Sequence, residues 1–308
     1  TGDVDATGDI QSTSQNGGQL AGLRNLLING APLVAQRTVF NGTVGANSRI
    51  YGLFDRWVIG VAAGGTWGTA FTTNDNRNAM LFNCTGVSSW SVGQVIEYTS
   101  AWQLSGKTAT LSGWIKAASA FTATTGLEWY DSGTDTSPSG AGPTVTDTVS
   151  VTTNWTYFSK TFTVPTAPPL ANYSINWGLS LGFSDLPANI QLELQDIQLE
   201  PGPIATPFEQ RPVGLELALC QRYYEEGEHV MGAAYVLTSG VNPSDPNCFA
   251  NVFFKQTKRV TPTMSGIGYD AAIVGWSSVG DLNSTYAQLV ADADGQAQIG
   301  SWAADAEL

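Results

Sequence analysis

The residues that could make or break bonds are few. His229 is the single histidine of the chain, and it follows the acidic run Glu225-Glu226-Gly227-Glu228. Nucleophilic catalysis needs an activated side chain with a base beside it, and no G-x-S-x-G elbow accompanies this histidine. A metal centre built from a histidine cluster is impossible with one. Cys84, Cys220 and Cys248 are odd in number and irregular in spacing. That pattern reads as three small buried thiols rather than a disulfide framework or zinc site, with a Cys220–Cys248 bridge as the alternative. Carboxylates remain. Glu128, Asp131, Asp135 and Asp185 are candidates for the pair, about 5–10 Å apart, that glycoside hydrolysis employs, but nothing in their spacing sets a distance.

Aromatic side chains offer binding instead of reaction. A flat apolar ring complements the C–H face of a pyranose, and nearby amides and carboxylates can orient its hydroxyls. The chain has 10 Trp and 10 Tyr. Trp114 lies on the Thr/Ser/Lys side of its segment, and Trp129-Tyr130-Asp131 borders a Gly/Ser stretch, which makes these four the candidate glycan-binding residues. Trp67 and Trp90 also sit in Gly/Ser-rich, loop-like stretches. A core or subunit-interface role is the competing reading for every tryptophan.

The elements that must position them are strands. Lys107–Ala117 alternates Ala, Leu, Gly, Ile, Ala against Thr, Thr, Ser, Trp, Lys, the period of two that marks a strand with one buried face. Further strands are predicted at Asn25–Gly30, Ile50–Gly60 (with Asp55-Arg56 at its middle as an ion pair), Thr144–Val151, Trp155–Val164, Ile175–Phe183 and Ile190–Leu199. In the last, the apolar parity switches between Leu194 and Ile197, which predicts a bulge near Gln195-Asp196. Pro201-Gly202-Pro203 and Pro207 close this region. Leu215–Glu226 is the one convincing helix, with Gly227 placed to cap it. Beyond it, strands are expected at His229–Thr238, Phe249–Gln256, Thr263–Tyr269, Ala271–Ser277, Ala287–Ala291 and Ile299–Ala303. The fold class is all-β: a jelly-roll β-sandwich, a short linking helix and a second, smaller β-sandwich domain. The domains are an extended N-terminal arm at residues 1–23, which could attach the chain to a partner, the jelly roll at 24–212, and the C-terminal β-domain at 213–308.

Charge narrows the partners. The formal net charge is −13, with 13 basic against 26 acidic residues. Binding to nucleic acid depends on clustered Lys and Arg. The single compact basic run, Lys255-Gln256-Thr257-Lys258-Arg259, reads as a solvated strand end, so neither nucleic acid nor an anionic membrane surface is an expected partner. No apolar run approaches the ~20 residues of a membrane span, and Thr1–Gln19 lacks the apolar centre of a secretory leader.

Taken in order, several motifs resemble one known family. Gln198-Leu199-Glu200-Pro201-Gly202 is followed by Ala205-Thr206-Pro207-Phe208-Glu209-Gln210-Arg211-Pro212, then by Glu216-Leu217-Ala218-Leu219-Cys220-Gln221-Arg222-Tyr223-Tyr224. The chain closes on Trp302-Ala303-Ala304-Asp305-Ala306-Glu307-Leu308 and opens with Asn25-Leu26-Leu27-Ile28-Asn29-Gly30 and Phe54-Asp55-Arg56-Trp57; Leu111–Ala117 fits between. This set resembles phage and prophage tail proteins, in which a jelly roll similar to carbohydrate-binding modules ends in this way.

The resemblance implies a virion surface appendage such as a tail fibre, structural and non-catalytic, released by host lysis. Its implied partners are other virion proteins through the N-terminal arm, two further copies of itself in a homotrimer, and a host cell-surface glycan. Tyr223, Tyr224 and Phe253 are the residues such a trimer could bury. No cofactor is required. A structural Ca²⁺ is the one ligand that similar jelly rolls suggest, with Asn25 or Asn29 and Asp196 as oxygen donors, against the plainer reading of a solvated turn and a bulge carboxylate. A head-decoration or cement protein is the first alternative. A polysaccharide depolymerase is the second and weaker one, since no internal coil repeat of the usual β-helical kind is visible.

Overall fold

The computed structural model describes residues 23–37, 41–46, 48–61, 64–86, 90–131, 140–168, 177–233, 247–265, 278–292 and 296–307. Twelve strands form two six-stranded antiparallel sheets. The first runs β1 (Asn41–Val44), β4 (Gly65–Asn74), β5 (Arg77–Thr85), β12 (Gln191–Pro201), β7 (Thr108–Ala117), β10 (Thr156–Thr163). The second runs β2 (Ser48–Tyr51), β3 (Val58–Val61), β6 (Trp90–Glu97), β11 (Trp177–Leu186), β8 (Phe121–Asp131), β9 (Gly140–Val151). Strand order departs from chain order in both sheets, as crossing between two layers requires.

The core between the layers follows from alternation. Ala109, Leu111, Ile115 and Ala117 of β7 are buried, as are Leu127 and Trp129 of β8 and Leu179, Leu181 and Phe183 of β11. Each large side chain buried this way contributes roughly 1.5–3 kcal/mol. The predicted bulge is present. The β12–β7 register shifts between Gln195 and Gln198, and Asp196 takes a positive φ of 52°. The extra residue restores the inward parity, so Leu192, Leu194, Ile197 and Leu199 all reach the core.

Three local expectations are corrected. Asn25–Gly30 is not a strand, although its backbone lies beside β12, with Leu26 N–H donating to Leu199 O at 2.8 Å and Ile197 N–H to Gly30 O at 3.1 Å. The Asn25 side chain takes over the ladder, accepting from Leu27 N–H (3.0 Å) and Leu199 N–H (3.1 Å). Ile50–Gly60 is two strands, β2 and β3, broken by a turn in which Arg56 has a φ of 74°. Asp55 and Arg56 are both buried but do not pair with one another; they reach different partners across the molecule.

The helix, α2 (Val213–Gln221), ends five residues earlier than its sequence pattern predicts. Tyr224 starts β13 (Tyr224–Ala233), which pairs with β18 (Gln296–Asp305) from Tyr224 opposite Asp305 onward. Pairing with a distant strand outweighs helical spacing here. Gly227 is therefore not a cap but a strand residue: a Cβ there would sit 2.6 Å from the Trp302 ring. Five strands went unpredicted, β1, β4, β5, β6 and β8, because their Gly, Thr and Asn content reads as loop, as did two short elements, α1 (Tyr98–Ala101) and a 3₁₀ turn at Trp102–Leu104.

The C-terminal part has two three-stranded sheets, β13-β18-β15 with β15 at Thr263–Ser265, and β14-β17-β16 with β14 (Asn247–Phe253), β17 (Tyr286–Asp292) and β16 (Ser278–Leu282). The expected strand Ala271–Ser277 lies outside the described residues. The basic run after β14 is solvated only over Lys255-Gln256-Thr257 and then turns inward. Lys258 is buried, donating to Gln221 O (2.5 Å) and Glu225 (2.6 Å), and Arg259 donates to Ala306 O (3.0 Å) and Glu307 O (2.8 Å).

Candidate functional site

A cleft opens on the outer face of the first sheet. Trp114 of β7 stands opposite Tyr157 of β10, their ring centroids 5.4 Å apart and their planes inclined at 64°. Both lie on the outward parity of their strands, Trp114 half-buried and Tyr157 46% exposed. The strap after β12 forms one wall. Glu200, buried on the outer face, accepts from Thr206 N–H (2.8 Å) and its hydroxyl (2.7 Å), and Gln198 accepts from Glu209 N–H (2.8 Å). These bonds hold Ala205, Pro207 and Phe208 beside the rings.

The polar end comes from the bulge and the neighbouring hairpin. Asp75 and Asn76 both have positive φ, 49° and 60°, the backbone of a two-residue turn that suits the strand twist. Gln195 pins that turn, accepting from Asn74 Nδ2 (2.8 Å) and donating to the Arg77 carbonyl (3.2 Å). Arg77 is thereby aimed at the bulge, where its guanidinium donates to Asp196 Oδ2. Burial raises the Asp196 carboxyl above its ordinary value, and Arg77 opposes that rise. Ser112 completes the lining of a cavity of about 770 Å³, within the usual size of a small-ligand site.

The other predicted residues fall elsewhere. Trp129 is 0% exposed, its indole N–H donating to Pro165 O at 2.7 Å, so it serves the core. Tyr130 is half-buried under the Arg49 guanidinium, 4.7 Å from its centroid, and the side chain of Asp131 lies outside the described residues. Trp67 and Trp90 are buried strand residues packed edge-to-face at 4.8 Å. Glu128 is partly buried on β8, and burial raises its carboxyl; Asp185 is exposed five positions along β11 from the residue facing Glu128. Asp135 and the side chain of His229 are outside the described residues. Cys84 and Cys220 are free and buried.

The calcium donors do not fit. Asn25 Oδ1 already accepts two N–H groups, and Asn29 Oδ1 accepts from Leu33 and Val34 (2.9 and 3.0 Å). An amide oxygen facing two N–H dipoles does not also face a cation. Asp196 is committed in part to Arg77. No cluster of three His, Cys, Asp or Glu is present among the described residues.

Most of the motifs quoted from the sequence, though not Leu111–Ala117, meet at the junction of the two parts. Glu307, near the chain's end, pairs with Arg56 and with Arg37 (3.2 Å); Arg37 also reaches Asp55 (3.5 Å) and Asp305 (3.3 Å). The Arg56 guanidinium lies 3.5 Å from the Tyr223 ring centroid and that of Arg37 3.8 Å from Tyr224. Arg211 donates to the Leu27 and Asn25 carbonyls and pairs with Glu216 at 3.2 Å, while Glu216 accepts from Asn29 N–H. Arg222 binds Glu97 at 2.9 Å. Tyr223 is consequently buried within its own chain and Tyr224 half-buried; of the three residues assigned to a trimer contact, Phe253, 72% exposed, is the one that presents an open apolar surface.

No family model matches the chain, and no curated protein does. Solved structures match it in part. A family 11 carbohydrate-binding module from Clostridium thermocellum, in complex with a β-1,3-1,4-mixed-linked tetrasaccharide, is 12% identical over 55% of this chain and 99% of its own, with a TM-score of 0.33. TmCBM61 in complex with β-1,4-galactotriose is 13% identical over 58% and 99%, with a TM-score of 0.32. The enzymatically active domain of bacteriophage CBA120 tailspike protein 4 is 12% identical over 58% of this chain and 21% of its own, with a TM-score of 0.33.

Of the cleft residues, Trp114 was legible in advance. Tyr157 was missed although its signal was present: Phe158 and Phe162 point inward, so Tyr157 must point out. Arg77 and Phe208 carried no signal, since a turn and a strap bring them in from far along the chain.

Proposed function

We propose that this chain is a non-catalytic, glycan-binding body of a bacteriophage surface appendage, with the Trp114–Tyr157 cleft as its sugar site. The observation that carries the reading is that cleft: two outward aromatic rings on adjacent strands, walled by Pro207 and Phe208 and closed at one end by a guanidinium and a carboxylate. Ring faces take up pyranose C–H surfaces and the polar end takes hydroxyls. The phage assignment is supported by the ordered motifs, most of which meet at one junction. Threefold assembly and attachment through the N-terminal arm belong to the same proposal; several weak sites held together would grip a surface that one alone would not.

Trp114→Ala tests the site. Retardation of the protein in gels containing soluble host-surface glycan is expected to be lost, with the thermal midpoint changed little because the ring is half-exposed. Chain-length analysis of the same glycan after incubation is expected to show no cleavage. Retardation that survives Trp114→Ala would remove the cleft from the proposal.

A further inference from the structure

The polar end of the cleft restricts what can enter it. Arg77 is half-exposed, 49% at the side chain, and its hydrogen bond to Asp196 Oδ2 leaves the other guanidinium nitrogens without a partner among the described residues. Asp196 Oδ1 likewise accepts no hydrogen bond among them. Donors and an acceptor thus stand side by side in a pair whose charges cancel. A sugar hydroxyl both donates and accepts, so two neighbouring hydroxyls match this pair. A carboxylate or sulfate does not: it would approach Arg77 against the Asp196 charge already bonded to it.

Nothing nearby offsets that repulsion. No other charged residue lines the cleft, Lys116 on the same strand as Trp114 is bound to Glu193 at 2.9 Å, and the chain carries a net charge of −13. The rings add a second restriction. Planes inclined at 64° cannot both lie against one flat surface, so the cleft suits a single soluble chain or a terminal sugar rather than the face of a crystalline polysaccharide.

We infer that the cleft selects an uncharged glycan, stacking one pyranose on the face of Trp114 with Tyr157 against its edge, and holding a vicinal diol on the Arg77–Asp196 pair. This rests on the cleft being a sugar site, and the test separates the two statements. The full chain, Trp114→Ala and Asp196→Asn are run in affinity gels on two panels at one ionic strength: neutral glycans (dextran, mannan, galactan, mixed-linkage β-glucan) and anionic ones (polygalacturonate, alginate, polysialic acid). Asn is at home in the left-handed conformation that residue 196 adopts, so Asp196→Asn keeps the bulge.

The expected result is retention of the wild type on at least one neutral glycan and on no anionic one. Trp114→Ala abolishes it. Asp196→Asn weakens neutral binding at least tenfold and, with the guanidinium no longer neutralised, gains retention on the anionic panel. Wild-type preference for anionic glycans that is lost in Trp114→Ala overturns the selectivity and leaves the sugar site standing. Neutral binding unchanged in Asp196→Asn overturns the diol role of the pair. Retention of neither panel, or retention indifferent to Trp114, overturns the site itself.

Discussion

The sandwich and the junction below it are held by opposite means. Between the two six-stranded sheets the buried residues are almost all apolar, from Leu27 through Trp129 to Leu199. Where the C-terminal part meets the sandwich, the buried residues include Arg37, Asp55, Arg56, Glu216, Glu225, Lys258, Arg259 and Glu307. An apolar core tolerates loss of one side chain locally, through a cavity. A buried ionic network does not, because each charge is the solvation of the next. The charged residues at the junction define how the two β-parts are joined, a geometry that apolar contact alone leaves loosely specified.

The largest effects should come from breaking each region by its own means. Glu307→Ala strands Arg56 and takes one of three carboxylates from Arg37, and should cost about 3–5 kcal/mol; Trp129→Ala should cost a similar ~3–5 kcal/mol through its cavity. The distinction is in how the protein unfolds. Urea titration followed by far-ultraviolet circular dichroism and by tryptophan fluorescence is expected to give separated transitions for Glu307→Ala, the C-terminal part releasing first, and coincident ones for Trp129→Ala. Coincident transitions in both would end the idea that the junction is a distinct layer of stability.

An intermediate effect lies in pH. Burial pushes the Asp55 carboxyl from 3.8 up to about 6, against the pull of Arg37 and Gln36. A raised carboxyl contributes stability that is complete below its unfolded value and lost as pH rises through about 6. Glu97 runs the other way. Its burial alone would raise it, but hydrogen bonds from Arg222 and Tyr223 hold it below its ordinary value. Its contribution is present above the usual carboxylate range and lost in acid. Asp55→Asn should therefore remove part of the fall in stability between about pH 4 and 7, and Glu97→Gln part of the fall on further acidification, as read from urea midpoints across pH.

The smallest effect sharpens the contrast from the other side. Lys160 and Asp147 pair at 3.1 Å on the sandwich surface, 27% and 45% exposed. Lys160→Ala should change the urea midpoint by no more than about 1 kcal/mol equivalent, and less in high salt. A larger loss would mean that surface charge, not burial, gives the junction its strength.

Part of the sandwich was legible in the chain. The period of two in Lys107–Ala117 and the parity switch before Ile197 follow from strand geometry alone, since a side chain's face depends on its own position and its neighbours. Trp114 could be placed on the outer face for the same reason, and the shortage of histidine and of basic residues bounded the chemistry by counting. Partners could not be read so. Asp55 and Arg56 are adjacent in sequence yet pair with Arg37 and Glu307, Lys258 is drawn under Gln221 and Glu225, and Trp129 turns inward where a Gly/Ser neighbour suggested exposure. Arg77 and Asp196 become one polar site only because β5 and β12 are neighbours in a sheet. Face is a local property of a strand; company is decided by which distant strands share a sheet, and only the folded chain settles that.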